Sequence, residues 1–388
     1  MEFDEPYEPQ EDSFLLQKHV KQLAKSVVLD MGTGSGIQAV AAASRESVRK
    51  VLAVDISKDA VEQCRRNIKN KKVQFKQSDL FDHVPEQAFD TIIFNPPYLP
   101  QDAKLKDLTI YGGKQGYETV KRFIEQAGDY LKTDGMILLL FSSLTKQEAV
   151  NDILEDNLFT YALLETQHIF FEDLFVYKIQ KSELLKELNR RGLHAITLLK
   201  KGNRGIVYTA LYKKKKVAIK VENKESRAID RLTNEAKWLK LLNKHGIGPK
   251  LSFAARKYLI EEFVEGRFIM DFLQGAGRDD SRKLLSTLLN QCYVLDRLKV
   301  TKEEMQRPYR HVIVTKRKPV MLDFERCRSA EHPKNVSQFV QFITNAKVHA
   351  LLKRKGIMIE IHKLRSLTKG YKEQPNKENF KKICKALD

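Results

Sequence analysis

Through the first 180 positions, short apolar runs rich in Val, Ile, Leu and Phe alternate with longer stretches of helical period. The runs expected as strands are Ser26–Asp30, Val51–Asp55, Val73–Gln77, Phe89–Phe94, Gly135–Phe141, Tyr161–Glu165 and Phe175–Ile179. Alternation of this kind predicts an α/β domain, a parallel sheet with helices on both faces. Ahead of the first strand, Glu11-Asp12-Ser13 is expected to cap a helix running to about Ala24.

The pattern changes after Gln180. Lys181–Arg191 reads as a charged helical connector ending at Gly192. Ile196–Leu199, Gly205–Tyr212 and Lys216–Val221 follow as antiparallel strands around tight turns. A long helix is expected from about Ser226 to Asn243, then mostly helical sequence broken by strands near Tyr258–Phe263 and Val312–Asp323. The expected organisation is a domain over 1–180, a linker over 181–192, an α+β domain over 193–330 and a basic helical tail over 331–388.

Composition supports two soluble domains: 388 residues exceed one ordinary core, and 42% hydrophobic with 31% charged residues is globular usage. The longest apolar run, Met136–Phe141, is far short of the roughly 20 residues that span a bilayer, so no membrane association is expected. The acidic opening MEFDEPYEPQED lacks the basic start of a signal peptide, and none is expected. Four scattered cysteines without a CxxC argue against zinc or disulfides and fit a cytoplasmic protein. Charge is divided unevenly. Residues 1–180 hold 21 Lys+Arg against 28 Asp+Glu; the remainder holds 48 against 22. A surplus confined to one half predicts a polyanion partner for it, RNA or the ribosome.

The stretch VVLDMGTGSG (27–36) runs a strand into a glycine-rich turn before a helix. Gly32, Gly34 and Gly36 let backbone approach a ligand closely. Asp55 ends the next strand, where a carboxylate can accept both hydroxyls of a ribose. In QSDLF, Asp79 can meet an adenine amine and Leu80 can pack on its ring. No phosphate-binding lysine follows the glycines, and Asp30 stands beside them. That chemistry suits the sulfonium and ammonium of S-adenosylmethionine better than a pyrophosphate.

FNPPYLP (94–100) then ends the fourth strand on the same carboxyl edge. Two prolines cannot continue a ladder. The corner is expected to present Asn95 Oδ1 and a proline carbonyl as acceptors for the two N–H bonds of a planar NH2, with Tyr98 stacked on that group. Positioning for in-line methyl attack, supported by fixed dipoles, would supply the acceleration without a strong base.

YEPQEDSFLL (7–16), LDMGTGSG, FNPPYLP, YGGKQGYETVKRFI (111–124), LLLFSSLT (138–145) and FFEDLFVYKI (170–179) together resemble the archaeal and eukaryotic branch of HemK-type methyltransferases. The resemblance implies a class I Rossmann-like domain with a seven-stranded, mostly parallel sheet. It implies S-adenosylmethionine as donor and the glutamine of the GGQ motif in translation release factors as acceptor. It places Asp30, Gly32, Asp55 and Asp79 around the donor, and Asn95, Pro96 and Tyr98 on the glutamine. Tyr7, Pro9 and Glu11, Asp12 and Ser13 would close over both. Family members commonly use a small zinc-binding activator subunit that extends the sheet. The alternative acceptor is the N6 amine of a flipped adenine in DNA or RNA, which presents the same planar NH2; the second half would then be an RNA-binding pseudokinase arm.

The second half resembles RIO-type archaeal protein-kinase-like proteins over 195–330. KGNRGIVYTALYKKKKVAIK (201–220) carries Gly202, Gly205 and Val207 of a phosphate-covering hairpin, although Lys200 occupies the first glycine position. The resemblance implies Lys220 on ATP phosphates with Glu235 as its ion-pair partner. It also implies YLIEEFVEG (258–266) as the adenine hinge, and Asp323 of MLDFER as the Mg ligand. The expected HxDxxxxN is absent: VTKEEMQRPYRHVIV places His311 at the Asn, Gln306 at the Asp and Glu304 as the nearest carboxylate. ATP and Mg binding are thus expected, with phosphoryl transfer to a protein or a pseudokinase role as alternatives. A basic cluster, Arg307, Arg310, Lys316, Arg317 and Lys318, surrounds this loop.

Overall fold

The computed structural model describes residues 8–101, 110–202, 205–222 and 231–387. Tyr7 and the opening of the helix expected from Ser226 lie outside them. Packing divides the chain into two compact units, residues 1–198 with 210–215, and residues 199–209 with 216–388.

The first unit runs α1 (Glu11–Leu23), β1 (Ser26–Met31), α2 (Ile37–Ala43), β2 (Val48–Asp55), α3 (Lys58–Asn67), β3 (Val73–Gln77) and β4 (Phe89–Phe94). It continues with α4 (Glu118–Tyr130), β5 (Leu131–Ser142), α5 (Gln147–Asp156), β6 (Phe159–Ile169), β7 (Glu172–Lys181) and α6 (Glu183–Arg190). The seven strands form one sheet in the order β3-β2-β1-β4-β5-β7-β6. The first five are parallel, and β7 is antiparallel to both β5 and β6. Because both faces are covered, the central strands need apolar residues in succession rather than in alternation. Leu29, Ile92, Leu139 and Phe141 point into one core with Phe123 and Leu154. Val28, Ile93, Leu138 and Leu140 point into the other with Leu16 and Ala42. Strand order reverses between β1 and β4, and a crevice opens at their carboxyl ends.

Two expectations change here. The N-cap of α1 is Gln10, which makes no side-chain cap bond. Glu11 and Asp12 instead occupy the first turn, where their charge meets the positive end of the helix dipole. The helical connector expected over Lys181–Arg191 is α6, but it is packed rather than free: Leu185 and Leu188 are buried, Leu185 within the first unit's core.

Beyond α6, β8 (Leu193–Lys201), β9 (Gly205–Tyr212), β10 (Lys215–Glu222), β11 (Leu251–Ala254) and β12 (Tyr258–Glu262) form a sheet ordered β11-β12-β10-β9-β8, with α7 (Arg231–Leu242) between β10 and β11 in sequence. The helical part contains β13 (Arg267–Phe268), α8 (Ile269–Gly275), α9 (Arg278–Arg297) and β14 (Val300–Thr301). It then adds β15 (Val312–Val314), β16 (Pro319–Met321) and β17 (Arg328–Ser329) before helices α10 (Asn335–Ile343), α11 (Ala346–Arg354), α12 (Ile361–Glu373) and α13 (Lys377–Lys385). The strand expected over 312–323 is the antiparallel hairpin β15–β16, turned at Thr315–Lys318. The tail is no appendage, because Tyr371, Phe380 and Ile383 complete the core around α9. Among the described residues, no helix is long and apolar enough to cross a membrane.

Candidate active site

A cavity of about 470 Å³ opens at the carboxyl ends of β1, β2, β3 and β4. The residues following each strand form its walls: Gly32–Ser35 after β1, Ile56 and Ser57 after β2, Ser78–Leu80 after β3, and Asn95–Leu99 after β4. Asp55, the last residue of β2, lies among them. Gly34 has φ +50, and a Cβ there would meet no atom within 4 Å, so the loop leaves that side open to the cavity. Gly36 has φ +83, and a Cβ there would come within 2.4 Å of Ile68 Cδ1. Leu80 holds φ 44, a left-handed conformation uncommon outside glycine, at the cavity wall.

Of the expected donor residues, Asp12, Ser13, Gly32, Gly34, Asp55, Asp79, Leu80 and Asn95 line this cavity; Pro96 and Tyr98 line it too. Asp55 accepts from the backbone N–H of Gly34 at 2.8 Å and of Ser57 at 2.9 Å. Each carboxylate oxygen keeps a lone pair for a further donor such as a ribose hydroxyl. Asp79 is held by Arg122 Nη2 at 2.9 Å. Two residues stand elsewhere. Glu11 is exposed on the first turn of α1. Asp30 is 1% exposed, does not line the cavity, and accepts from Thr33 Oγ1 at 2.6 Å. Burial pushes its carboxyl up to about 7 against the opposing bonds from Thr33 and the Ala39 backbone. Asp55 is also raised, again chiefly by burial. Asp55, which lines the cavity, is thus the carboxylate under the loop that faces a ligand, with Asp30 held behind it.

Asn95 carries the decisive geometry. Its Nδ2 donates to Asp12 Oδ2 at 2.9 Å, which fixes the amide plane. Its Oδ1 is buried and accepts from no donor among the described residues. A buried carbonyl oxygen left without a partner is costly unless a ligand supplies one. Tyr98 is lodged beside it between the two cores of the sheet. Burial, then the charges of Asp12 and Glu172, raise its phenol well above the ordinary range, so the ring stays neutral.

The corner is clamped from behind by the loop 111–116. Leu99 donates to Ile110 O and accepts from Gly112 N, at 2.9 and 3.0 Å. A Cβ on Gly112 would lie 2.3 Å from Pro97 O, and one on Gly116 2.5 Å from Tyr98 O. Thr145 Oγ1 donates to Tyr98 O at 3.0 Å. Sequence reasoning did not single out Thr33, Gln38, Arg122 or Thr145. Gln38 is the most informative of these: its Nε2 donates to Ser13 O at 2.8 Å, which joins α2 to α1 over the cavity, and its buried Oε1 has no partner among the described residues.

In the second unit, Lys220 Nζ lies 2.7 Å from Glu235 Oε1 and 3.2 Å from Glu261 Oε1. Glu235 also accepts from Phe324 N at 3.0 Å. Burial alone would lower the Lys220 ammonium; the two carboxylates outweigh it and keep it charged. Asp323, at φ 64, has its carboxylate 3.7 Å from His311 Nδ1 and its backbone oxygen bonded by Lys302 Nζ. Glu304 lies 3.4 Å from the same Nζ. Gly202 N donates to Gly205 O at 3.1 Å, closing the β8–β9 turn ahead of half-buried Val207. The structure thus brings Lys220 to Glu235, and Asp323 to His311 and, through Lys302, to Glu304.

The sheet order and the cavity at its carboxyl edge define an S-adenosylmethionine-dependent methyltransferase of Rossmann-like fold. Residues 10–171 match the family described as methyltransferase small domain. A putative protein N5-glutamine methyltransferase of Methanocaldococcus jannaschii is 37% identical over 179 residues, 44% of this chain and 90% of that protein. The chain belongs, through this unit, to the HemK-type glutamine methyltransferases. A release factor glutamine methyltransferase of Streptococcus pneumoniae is 36% identical over 124 residues, 29% of this chain and 44% of that protein, so the chain spans under half of this bacterial relative. A solved structure of the E. cuniculi Mtq2–Trm112 complex, described as responsible for methylation of the eRF1 translation termination factor, matches at 27% identity and TM-score 0.38, over 46% of this chain and 100% of that chain.

Proposed function

We propose that the first unit methylates the side-chain amide nitrogen of a glutamine in a protein of the translation apparatus, a release factor foremost. The observation that carries this reading is the buried, unpartnered Asn95 Oδ1 at the cavity wall, oriented by Asp12. A carboxamide nitrogen is a poor nucleophile because its lone pair is delocalised. Asn95 Oδ1 accepts one of its N–H bonds, a carbonyl of the Pro96–Pro97 corner accepts the other, and the lone pair is turned toward the donor. Tyr98 packs on the amide plane. S-adenosylmethionine supplies the electrophilic methyl. The chain's residues supply alignment and water exclusion, and the nitrogen, cationic after transfer, loses its proton without a dedicated base. The relatives named above are described as acting on glutamine, and residues 1–180 carry a net negative charge unsuited to a nucleic-acid acceptor. An assay with labelled donor, offering release factor, RNA and DNA in parallel, tests the reading. Label in nucleic acid alone would transfer it to adenine. A zinc-binding activator that extends the sheet would add to one of its edge strands, β3 or β6; turnover unchanged by that subunit would argue against the partner.

For the second unit we propose a kinase-like nucleotide site. The Lys220–Glu235 pair, the Phe324 N–H on that same carboxylate, and the contact of Lys302 with Asp323 support it. Titration with ATP and Mg measures binding, and transfer of γ-phosphate, lost in Glu304→Gln, would separate a kinase from a pseudokinase.

A further inference from the structure

Residues 181–388 carry a basic surplus that the methyl-transfer site does not use, and part of it is gathered in one groove of the second unit. An open cavity of about 830 Å³ is lined by Lys240, Lys244, Lys250 and Lys318, with Phe253 and Glu262 on its wall. Three elements build it. Lys240 and Lys244 are one turn apart, about 6 Å along the helical direction. Lys250 precedes β11, the edge strand of the sheet, where the register slips between Leu251 and Phe253. Lys318 closes the β15–β16 turn and donates to Gly246 O at 2.9 Å.

The floor is rigid. Asn243 Nδ2 donates to Ile247 O and Pro249 O at 3.1 and 2.9 Å, and its Oδ1 accepts from Leu251 N at 2.8 Å. By contrast, Lys240, Lys244 and Lys250 have no carboxylate within 4.0 Å among the described residues. Three unpaired ammonium groups on a fixed frame repel one another until an anion of repeated charge lies between them.

We propose that this groove binds single-stranded RNA, a reading that does not depend on the acceptor of the methyl group. Lysines spaced along a channel suit a phosphodiester backbone. No arginine lines the groove, so the bidentate fork that grips a single phosphorylated side chain is missing from it. The half-buried ring of Phe253 gives a base a surface to stack on. Glu262 decides between RNA and DNA: a carboxylate among lysines repels phosphate but accepts from a 2′-hydroxyl.

The test uses the full chain and an unstructured labelled RNA of about a dozen nucleotides, with DNA of the same sequence alongside. Changing Lys240, Lys244 and Lys250 together to alanine should weaken RNA binding at least 10-fold and flatten the log–log salt dependence by about 2, since three contacts count about 0.7 each on a single strand. Phe253→Leu should weaken binding several-fold without altering that slope. Glu262→Leu, which removes every acceptor oxygen from that position, should abolish the preference of RNA over DNA. Circular dichroism of each variant establishes that the fold is retained. The proposal is overturned if the lysine variant binds as the parent does, or if Lys381, Lys382 and Lys385 of α13 carry the salt dependence instead. An unchanged RNA:DNA ratio in Glu262→Leu would overturn the choice of RNA.

Discussion

Asp12→Ala removes the acceptor that holds Asn95 Nδ2 at 2.9 Å while leaving Asn95 itself in place. Without it the amide of Asn95 is free to rotate, and the rotamer that presents Nδ2 to the acceptor nitrogen repels an N–H bond instead of accepting one. A hydrogen bond to a charged partner contributes about 1.5–3 kcal/mol. If that alignment is used in the transition state, kcat/KM falls about 10- to 150-fold. Asp12→Asn keeps a neutral acceptor and should fall between the variant and the parent. Asp12 also lines the donor cavity and accepts from Ser13 N at 2.6 Å, so two controls are needed. Donor affinity is measured by calorimetry, and the methyl-transfer rate at saturating donor by single turnover. The expected result is a slow single turnover with near-parental unfolding temperature. A single-turnover rate within twofold of the parent would show that Asn95 does not need Asp12, and the positioning argument would fail.

Gly36→Ala forces φ +83 on a residue with a Cβ and drives that Cβ against Ile68, a loss of about 2–5 kcal/mol readable in urea unfolding. Gly34→Ala meets no protein atom and should cost about 1 kcal/mol of stability from its φ, yet weaken donor binding at least 10-fold by filling cavity space. Asp30 is raised in the fold from 3.8 to about 7, so the folded state holds its proton between those values while the unfolded state releases it. Stability therefore falls as pH rises through that window, and Asp30→Asn should gain on the parent progressively from about pH 4 to about pH 7, by a few kcal/mol at most; parallel pH profiles for the two proteins would rule this out. Lys220→Ala leaves Glu235 and Glu261 buried without their cation and should destabilise the second unit by about 3–5 kcal/mol in denaturant unfolding; on the proposed nucleotide site it should also abolish ATP binding in a titration.

The seven strands of the first unit were legible because a sheet covered on both faces requires consecutive apolar residues, and such runs are bounded by charge and glycine. Their ends were less so. β6 extends to Ile169 through half-buried and exposed positions, where hydropathy carries little information. The antiparallel insertion of β7 between β5 and β6 depends on pairing across the chain and leaves no local trace. α6 was legible as a helix, and its packing could have been too: Leu185 and Leu188 stand three apart on one helical face, a core stripe within a run of charges. At the site, the residues that touch the cavity from strand ends were readable from their motifs. Arg122 on Asp79, Gln38 on Ser13 and Thr145 on Tyr98 were not, since each joins positions 25 or more apart. Asp30 was placed on the ligand by its neighbours in sequence; strand alternation turns it beneath the loop instead, against Thr33.

The central claim is that the buried Oδ1 of Asn95 positions the side-chain amide of a protein glutamine. Incubation of the chain with labelled S-adenosylmethionine, release factor and the zinc-binding activator, followed by peptide mass spectrometry, tests it most directly. The account predicts one added methyl on a glutamine side-chain nitrogen of the release factor, and none with Asn95→Ala. Label recovered on adenine of RNA or DNA, or undiminished methylation by Asn95→Ala, would contradict it.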